Sequence, residues 1–182
     1  KPRGLGRTPY RCGYELTGRD VMASDAEQKD ENRLVKIDLD DAGKPRRSAE
    51  AEQERAIAIY DILEDSIFRL ESQTGPFHLT LRLEGRHVHF DIRQANETPL
   101  IQFFMAMGPL RRVMRDYFHV CDTYYDAIRT KSPSQIQAID MGRRALHNEG
   151  SELLQARLEG KVETDFQTAR RLFTLICVLQ SR

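Results

Sequence analysis

Phe77–Arg93, FHLTLRLEGRHVHFDIR, reads as two strands and the turn between them. Phe77, Leu79, Leu81 and Leu83 alternate with other residues, and so do Val88, Phe90 and Ile92, the period of two that marks a strand with one apolar face. Odd positions of the first strand must share that face with even positions of the second. The loop therefore holds an even number of residues, most simply two around Gly85. Gly75-Pro76 marks the entry to this hairpin. Pro99–Ala106, nearly apolar throughout, follows as the third strand of a meander, and its composition predicts a central strand covered on both faces.

Upstream, Arg33–Leu39 (RLVKIDL) alternates as a half-buried strand and ends in the turn-rich DDAGKPRRS. From Glu50 to Glu64, Ala56, Ile59, Ile62 and Leu63 recur at helical spacing behind Ser48, a suitable cap, and predict an amphipathic helix of about four turns. Residues 1–21 are rich in Gly, Pro and Arg without an apolar period. They are expected to be a disordered or non-native extension, with native translation beginning at Met22 and residues 22–182 forming a single domain. The GLGR within them is not a phosphate loop, because no strand precedes it.

Downstream the pattern becomes helical. Leu110, Val113, Met114, Tyr117, Cys121, Tyr124 and Ile128 form one stripe behind Pro109, and Ser132-Pro133 starts a second helix. Thr164 with Gln167 matches a capping box and opens a last helix through Leu179. The resulting expectation is an α+β domain. A small antiparallel sheet, built as strand, helix and three-stranded meander, packs with a C-terminal three-helix segment.

The 182 residues are 40% hydrophobic and 31% charged, with 28 basic and 28 acidic groups. Residues 1–21 carry a net +3, 22–97 a net −6 and 98–182 a net +3. Without an overall basic field or a basic patch interleaved with aromatics, the chain is not read as a nucleic-acid binder. The acidic stretch is matched to the basic ones as an internal partner. Cys12, Cys121 and Cys177 are odd in number and far apart, which points to reduced thiols, a cytoplasmic location and neither a disulfide framework nor a zinc site. LFTLICVL, Leu172–Leu179, is too short for the ~20 residues of a membrane span, and no signal peptide is evident. No motif implies a cofactor or a metal.

DTYYDAIRTKSPSQIQAIDMGRRALHNEGSELLQARLEGKVETDFQTARRLFTLICVL, Asp122–Leu179, resembles an uncharacterised protein family of alphaproteobacteria, numbered 0262 in the UPF series. The likeness extends back through RRVMRDYF and FDIR, covering nearly everything after about residue 30 and leaving residues 1–21 outside. It implies a small bacterial cytosolic protein and brings no site residues, since the family has no assigned activity.

Within this frame, ALHNEGSELL (Ala145–Leu154) is the anomaly. On a helical wheel Arg143, Gly150 and Arg157 fall inside the apolar sector, with Asp140 and His147 at one edge and Glu149 at the other. Arg143, His147 and Glu149 together would offer an anion-binding cation beside a general acid and base. Alternatively Gly150 ends one helix and Ser151 caps the next, a join that accounts for more of the residues but not for an inward arginine. Arg111, Arg112 and Arg115 crowd the first turns of a helix, where cations are disfavoured. Either a bound anion or internal or intersubunit acidic partners would explain them.

Other clusters read as scaffold. His119, Asp122 and Asp126 stand on a solvated helix face, His78, His87 and His89 project from the exposed face of the hairpin, and Cys121 among Tyr117, Tyr124 and Tyr125 is a buried, inert thiol. Two functions stay open. One is a non-catalytic interaction or regulatory domain with a protein partner or self-association, because LFTLICVL is apolar all round and must be covered. The other is a small enzyme or binding domain for an anionic metabolite, phosphorylated ones included. Only the second predicts a concave pocket where those arginines converge.

Overall fold

The computed structural model describes residues 31–41 and 48–181. The expectations for residues 1–21, the start at Met22 and most of DDAGKPRRS lie outside the described residues.

The elements run β1 (Leu34–Asp40), α1 (Ala49–Glu64), β2 (Phe68–Arg69), β3 (Phe77–Glu84), β4 (His87–Gln94), β5 (Pro99–Ala106), α2 (Gly108–Thr130), α3 (Pro133–Leu158), β6 (Glu163–Thr164) and α4 (Phe166–Gln180). The fold is α+β, as the alternation of periods two and 3.6 requires. The hairpin has the expected register, with Leu79 opposite Ile92, Leu81 opposite Phe90 and a two-residue loop of Gly85 and Arg86. Gly85 supplies the positive φ of 58° that this loop needs.

The sheet order is β1-β3-β4-β5. Antiparallel pairing holds for the meander, but β1 joins β3 in parallel, Ile37 beside Leu79 and Leu39 beside Leu81. The sheet is thus mixed. The reason is α1, a crossover long enough to return the chain in the same direction. A second correction concerns β5, which forms an edge of the sheet. Its apolar residues are only partly covered, with Ile101 37% and Phe104 64% exposed.

Leu79, Leu81, Phe90 and Ile92 all face the helices and are at most 1% exposed. Packed over them is α4, flanked by α1 and α3, with α2 lying against α3. Leu172, Phe173, Leu175, Ile176, Val178 and Leu179 are essentially inaccessible. The chain's own sheet and helices therefore cover LFTLICVL, and the burial it requires calls for no second molecule.

The boundaries follow local chemistry. Ser48 accepts from the Ala51 amide at 3.2 Å to start α1, and Asp165, not Thr164, caps α4 by accepting from the Thr168 and Gln167 amides. Thr164 is instead held in β6 opposite Phe68. Ile128 is exposed, with Ala127 buried in its place near the end of α2.

The join predicted at Gly150 does not exist. α3 runs unbroken through it. A Cβ at Gly150 would stand 2.2 Å from Cζ of Phe173, so the glycine is there to let α4 approach. Ser151 caps nothing, and its hydroxyl donates to the His147 carbonyl one turn back at 2.6 Å.

Candidate functional site

The close approach at Gly150 shapes the site. Phe173 sits against His147, ring centroids 5.2 Å apart, and both rings meet Tyr117 of α2, at 6.2 and 5.3 Å. Above this aromatic group opens a cleft of about 360 Å³. Its floor is α4, with Gln167, Arg170, Arg171 and Thr174. Its walls are α1, with Glu54, Ile57, Ala58 and Asp61, and α3, with Arg143, Arg144 and His147. Four arginines face two carboxylates, so the lining carries an excess of positive charge.

The arginines differ in how they are held. Arg143 donates from Nε and Nη2 to Oδ1 of Asp140 at 3.0 and 2.7 Å, and its head lies 5.3 Å over the Tyr124 ring. Burial works most strongly against its charge, but the bond and charge of Asp140 together with the Tyr117 hydroxyl outweigh it and raise its pKa, while the bond to Arg143 depresses Asp140. Arg144 takes the other oxygen of Asp140 at 2.7 Å. Arg171 stands 3.6 Å from Asp61 and donates to the Asp65 carbonyl at 3.0 Å. Arg170 is the exception. Its Nε is buried without a hydrogen-bond partner, with the head 6.0 Å from the Phe166 ring centroid.

His147 is 8% exposed. Burial first, then the positive charges of Arg170 and Arg143, lowers its pKa to about 4, so the ring is neutral at pH 7. Nε2 of His147 lies 2.9 Å from Oγ1 of Thr174, whose hydroxyl also lies 3.2 Å from the Arg170 carbonyl; with the hydroxyl donating to that carbonyl, Nε2 donates to Oγ1. Nδ1 has no partner. Opposite, burial raises the pKa of Glu54, with Arg143 pulling it partly back. Burial also raises the Tyr117 hydroxyl and the thiols of half-buried Cys121 and buried Cys177, in keeping with unreactive side chains.

Of the residues singled out by sequence, Arg143 and His147 come together here. Glu149 does not, being exposed two positions further along α3, more than half a helical turn away from His147. Arg111, Arg112 and Arg115 lie exposed at the start of α2, and the acidic partner of the last two is their neighbour Asp116, at 3.9 and 3.3 Å. Arg111 and Arg115 border a separate hollow with Met114 and Phe118. His119, Asp122 and Asp126 remain on the solvent side of α2. His78 departs from expectation, being 5% exposed on the open sheet face, where Nε2 lies 2.9 Å from Asp38 and Nδ1 3.0 Å from Glu97.

Glu54, Arg170, Arg171 and Thr174 were not picked out from sequence. One signal was present: Arg170 and Thr174 are one turn apart on α4, and Thr174 interrupts the apolar run Leu172–Leu179.

The fold and cleft define a class, an α+β domain whose helices cover one face of a mixed sheet and enclose an arginine-rich cleft. The chain belongs to the Uncharacterised protein family (UPF0262), whose model matches residues 31–182. It is similar to a UPF0262 protein of Rhodospirillum rubrum, 49% identical over 158 residues, covering 87% of this chain and 98% of the relative. Relatives from Paramagnetospirillum magneticum and Azorhizobium caulinodans are 51% and 55% identical, covering 82% and 81% of this chain and 96% and 93% of their own. No solved structure matches the chain. Among the described residues, no helix is long and apolar enough to cross a membrane.

Proposed function

We propose that the chain is a binding domain for a small anionic metabolite carrying a phosphate or carboxylate, held in the cleft between α1, α3 and α4. The observation that carries this reading is Arg170, a guanidinium whose Nε is buried without an acceptor in a cleft already rich in arginine. A desolvated charged donor left unpaired is costly, and an anionic oxygen would relieve it. Neutral His147, whose Nδ1 has no partner, suits a hydroxyl or amide of the same ligand. Binding, not catalysis, is the core of the proposal, because the Arg143, His147 and Glu149 trio loses Glu149 to the outer surface.

The test is thermal unfolding with inorganic phosphate, pyrophosphate, sulfate and citrate, against chloride at matched ionic strength. Stabilisation should reach about 2.7 kcal/mol at a hundredfold excess over Kd. It should vanish in Arg170→Gln and persist in Arg112→Gln, which lies outside the cleft. If none of the four anions stabilises the wild-type protein, the proposal fails. The other reading, interaction with a protein, draws on a different surface, the β5 edge.

A further inference from the structure

The sheet has two edges that differ in kind. The β1 edge carries Lys36, Asp38 and Asp40 exposed on its open face, the charged residues by which natural edge strands avoid pairing with one another. β5 is eight residues long, PLIQFFMA, with no charge and no proline after its first position. Its irregularity lies at the Pro99 end, leaving Ile101–Ala106 in regular register with β4. An unguarded edge of this kind is a template for another strand.

The hydrogen-bond pattern fixes which groups are on offer. The Met107 amide donates to the Arg86 carbonyl at 2.8 Å. Ile101, Phe103 and Met105, of the same parity, therefore direct their backbone to β4, while Gln102, Phe104 and Ala106 direct theirs outward. Another β-strand satisfies the whole row at once.

We propose that this strand is a second copy of β5, paired antiparallel about a two-fold axis at Phe103 to make one continuous eight-stranded sheet. In that register Gln102 of each copy exchanges both backbone bonds with Phe104 of the other, and Leu100 falls opposite Ala106. On the helix side Phe103 meets its own counterpart, while Ile101 meets Met105. Every cross-strand pair on that side is apolar with apolar, and no like charges face each other anywhere along the strand. The self-pairing covers Phe104 and Ile101, two of the large apolar side chains the single chain leaves exposed.

Sedimentation of the full chain across a concentration series should give twice the chain mass. Gln102→Pro removes an outward amide that β4 does not use, and should raise the dimer dissociation constant at least tenfold. The double variant Gln102→Lys with Phe104→Lys brings lysines face to face across the axis, and should do the same if the proline variant folds poorly. Both variants are to be checked for native far-UV dichroism. Phe103→Cys tests the register, because mild oxidation should link two copies through residue 103, whereas Ile101→Cys, facing Met105, should not link. A wild-type protein that is monomeric at about 100 μM overturns the proposal, as does a dimer whose dissociation constant is unmoved by the lysine pair. Neither outcome bears on anion binding in the cleft.

Discussion

Replacing Gly150 by alanine should destabilise the protein, although the general rule for a glycine inside a helix is the reverse. Alanine gains up to ~1 kcal/mol over glycine in a helix interior. Gly142, in the same helix with nothing within 4 Å of a built Cβ, is the site where that gain should appear. At Gly150 the new methyl group would meet three atoms of one ring, Cζ, Cε2 and Cε1 of Phe173, at 2.2, 2.6 and 2.7 Å. Phe173 is fully buried and cannot swing into solvent. Either the ring leaves its contacts with His147 and Tyr117, or α3 and α4 move apart, and overpacking of this kind costs about 1–3 kcal/mol.

Set against the propensity gain, Gly150→Ala should lose up to about 2 kcal/mol, while Gly142→Ala gains about 0.5–1 kcal/mol. Urea unfolding with an unchanged m-value measures both. Trimming the obstacle supplies a second check. In a Phe173→Leu background, itself weakened by on the order of 2 kcal/mol, the cost of Gly150→Ala should shrink, a coupling of about 1 kcal/mol. If Gly150→Ala is as stable as Gly142→Ala, the two helices do not meet at this point. The geometry of the cleft, whose wall and floor they form, then falls with it.

Three further outcomes follow from the site. Arg143→Ala should cost about 1 kcal/mol in urea unfolding, not the 3–5 kcal/mol of a stranded buried carboxylate, because Asp140 keeps Arg144 at 2.7 Å. His147 titrates lower folded than unfolded, so its contribution to stability is present above about pH 6.5. It is lost as the pH falls toward about 4, by on the order of 3 kcal/mol in total. Comparing His147→Gln with wild type between pH 7.5 and 4 should show the variant with the shallower loss, and parallel curves would contradict the buried neutral ring. Cys177, buried in α4, should react with a thiol reagent only at the rate of unfolding, and more slowly than half-buried Cys121.

The parts of this fold that sequence reveals are those fixed locally. The hairpin register follows from parity and one glycine, and α1 begins where a serine can cap it. Position within the sheet is another matter. PLIQFFMA is as apolar as a central strand, and nothing within those eight residues tells whether a neighbour lies beyond. Gly150 misleads for a related reason: a glycine that ends a helix and one that admits a crossing ring look alike until the crossing helix is in place. His78 shows the same limit, since alternation assigns it to the open face, while its burial depends on Asp38 and Glu97 arriving from β1 and the β4–β5 turn.

The candidate site is divided in the same way. An inward arginine was legible on the α3 wheel, because a cation in an apolar stripe is anomalous without any partner being known. What it served was not, because its surroundings come from four helices spread over about 120 residues. Asp140 satisfies Arg143, so the anomaly that first drew notice is largely settled inside α3. Within the cleft the unpaired Nε belongs to Arg170, which in sequence is one of two adjacent arginines near the start of an apolar helix. The argument for a ligand thus moves from the residue that looked wrong in sequence to the cleft arginine left unsatisfied in three dimensions. For that reason Arg170→Gln, and not Arg143→Ala, is the substitution that should separate anion binding from stability.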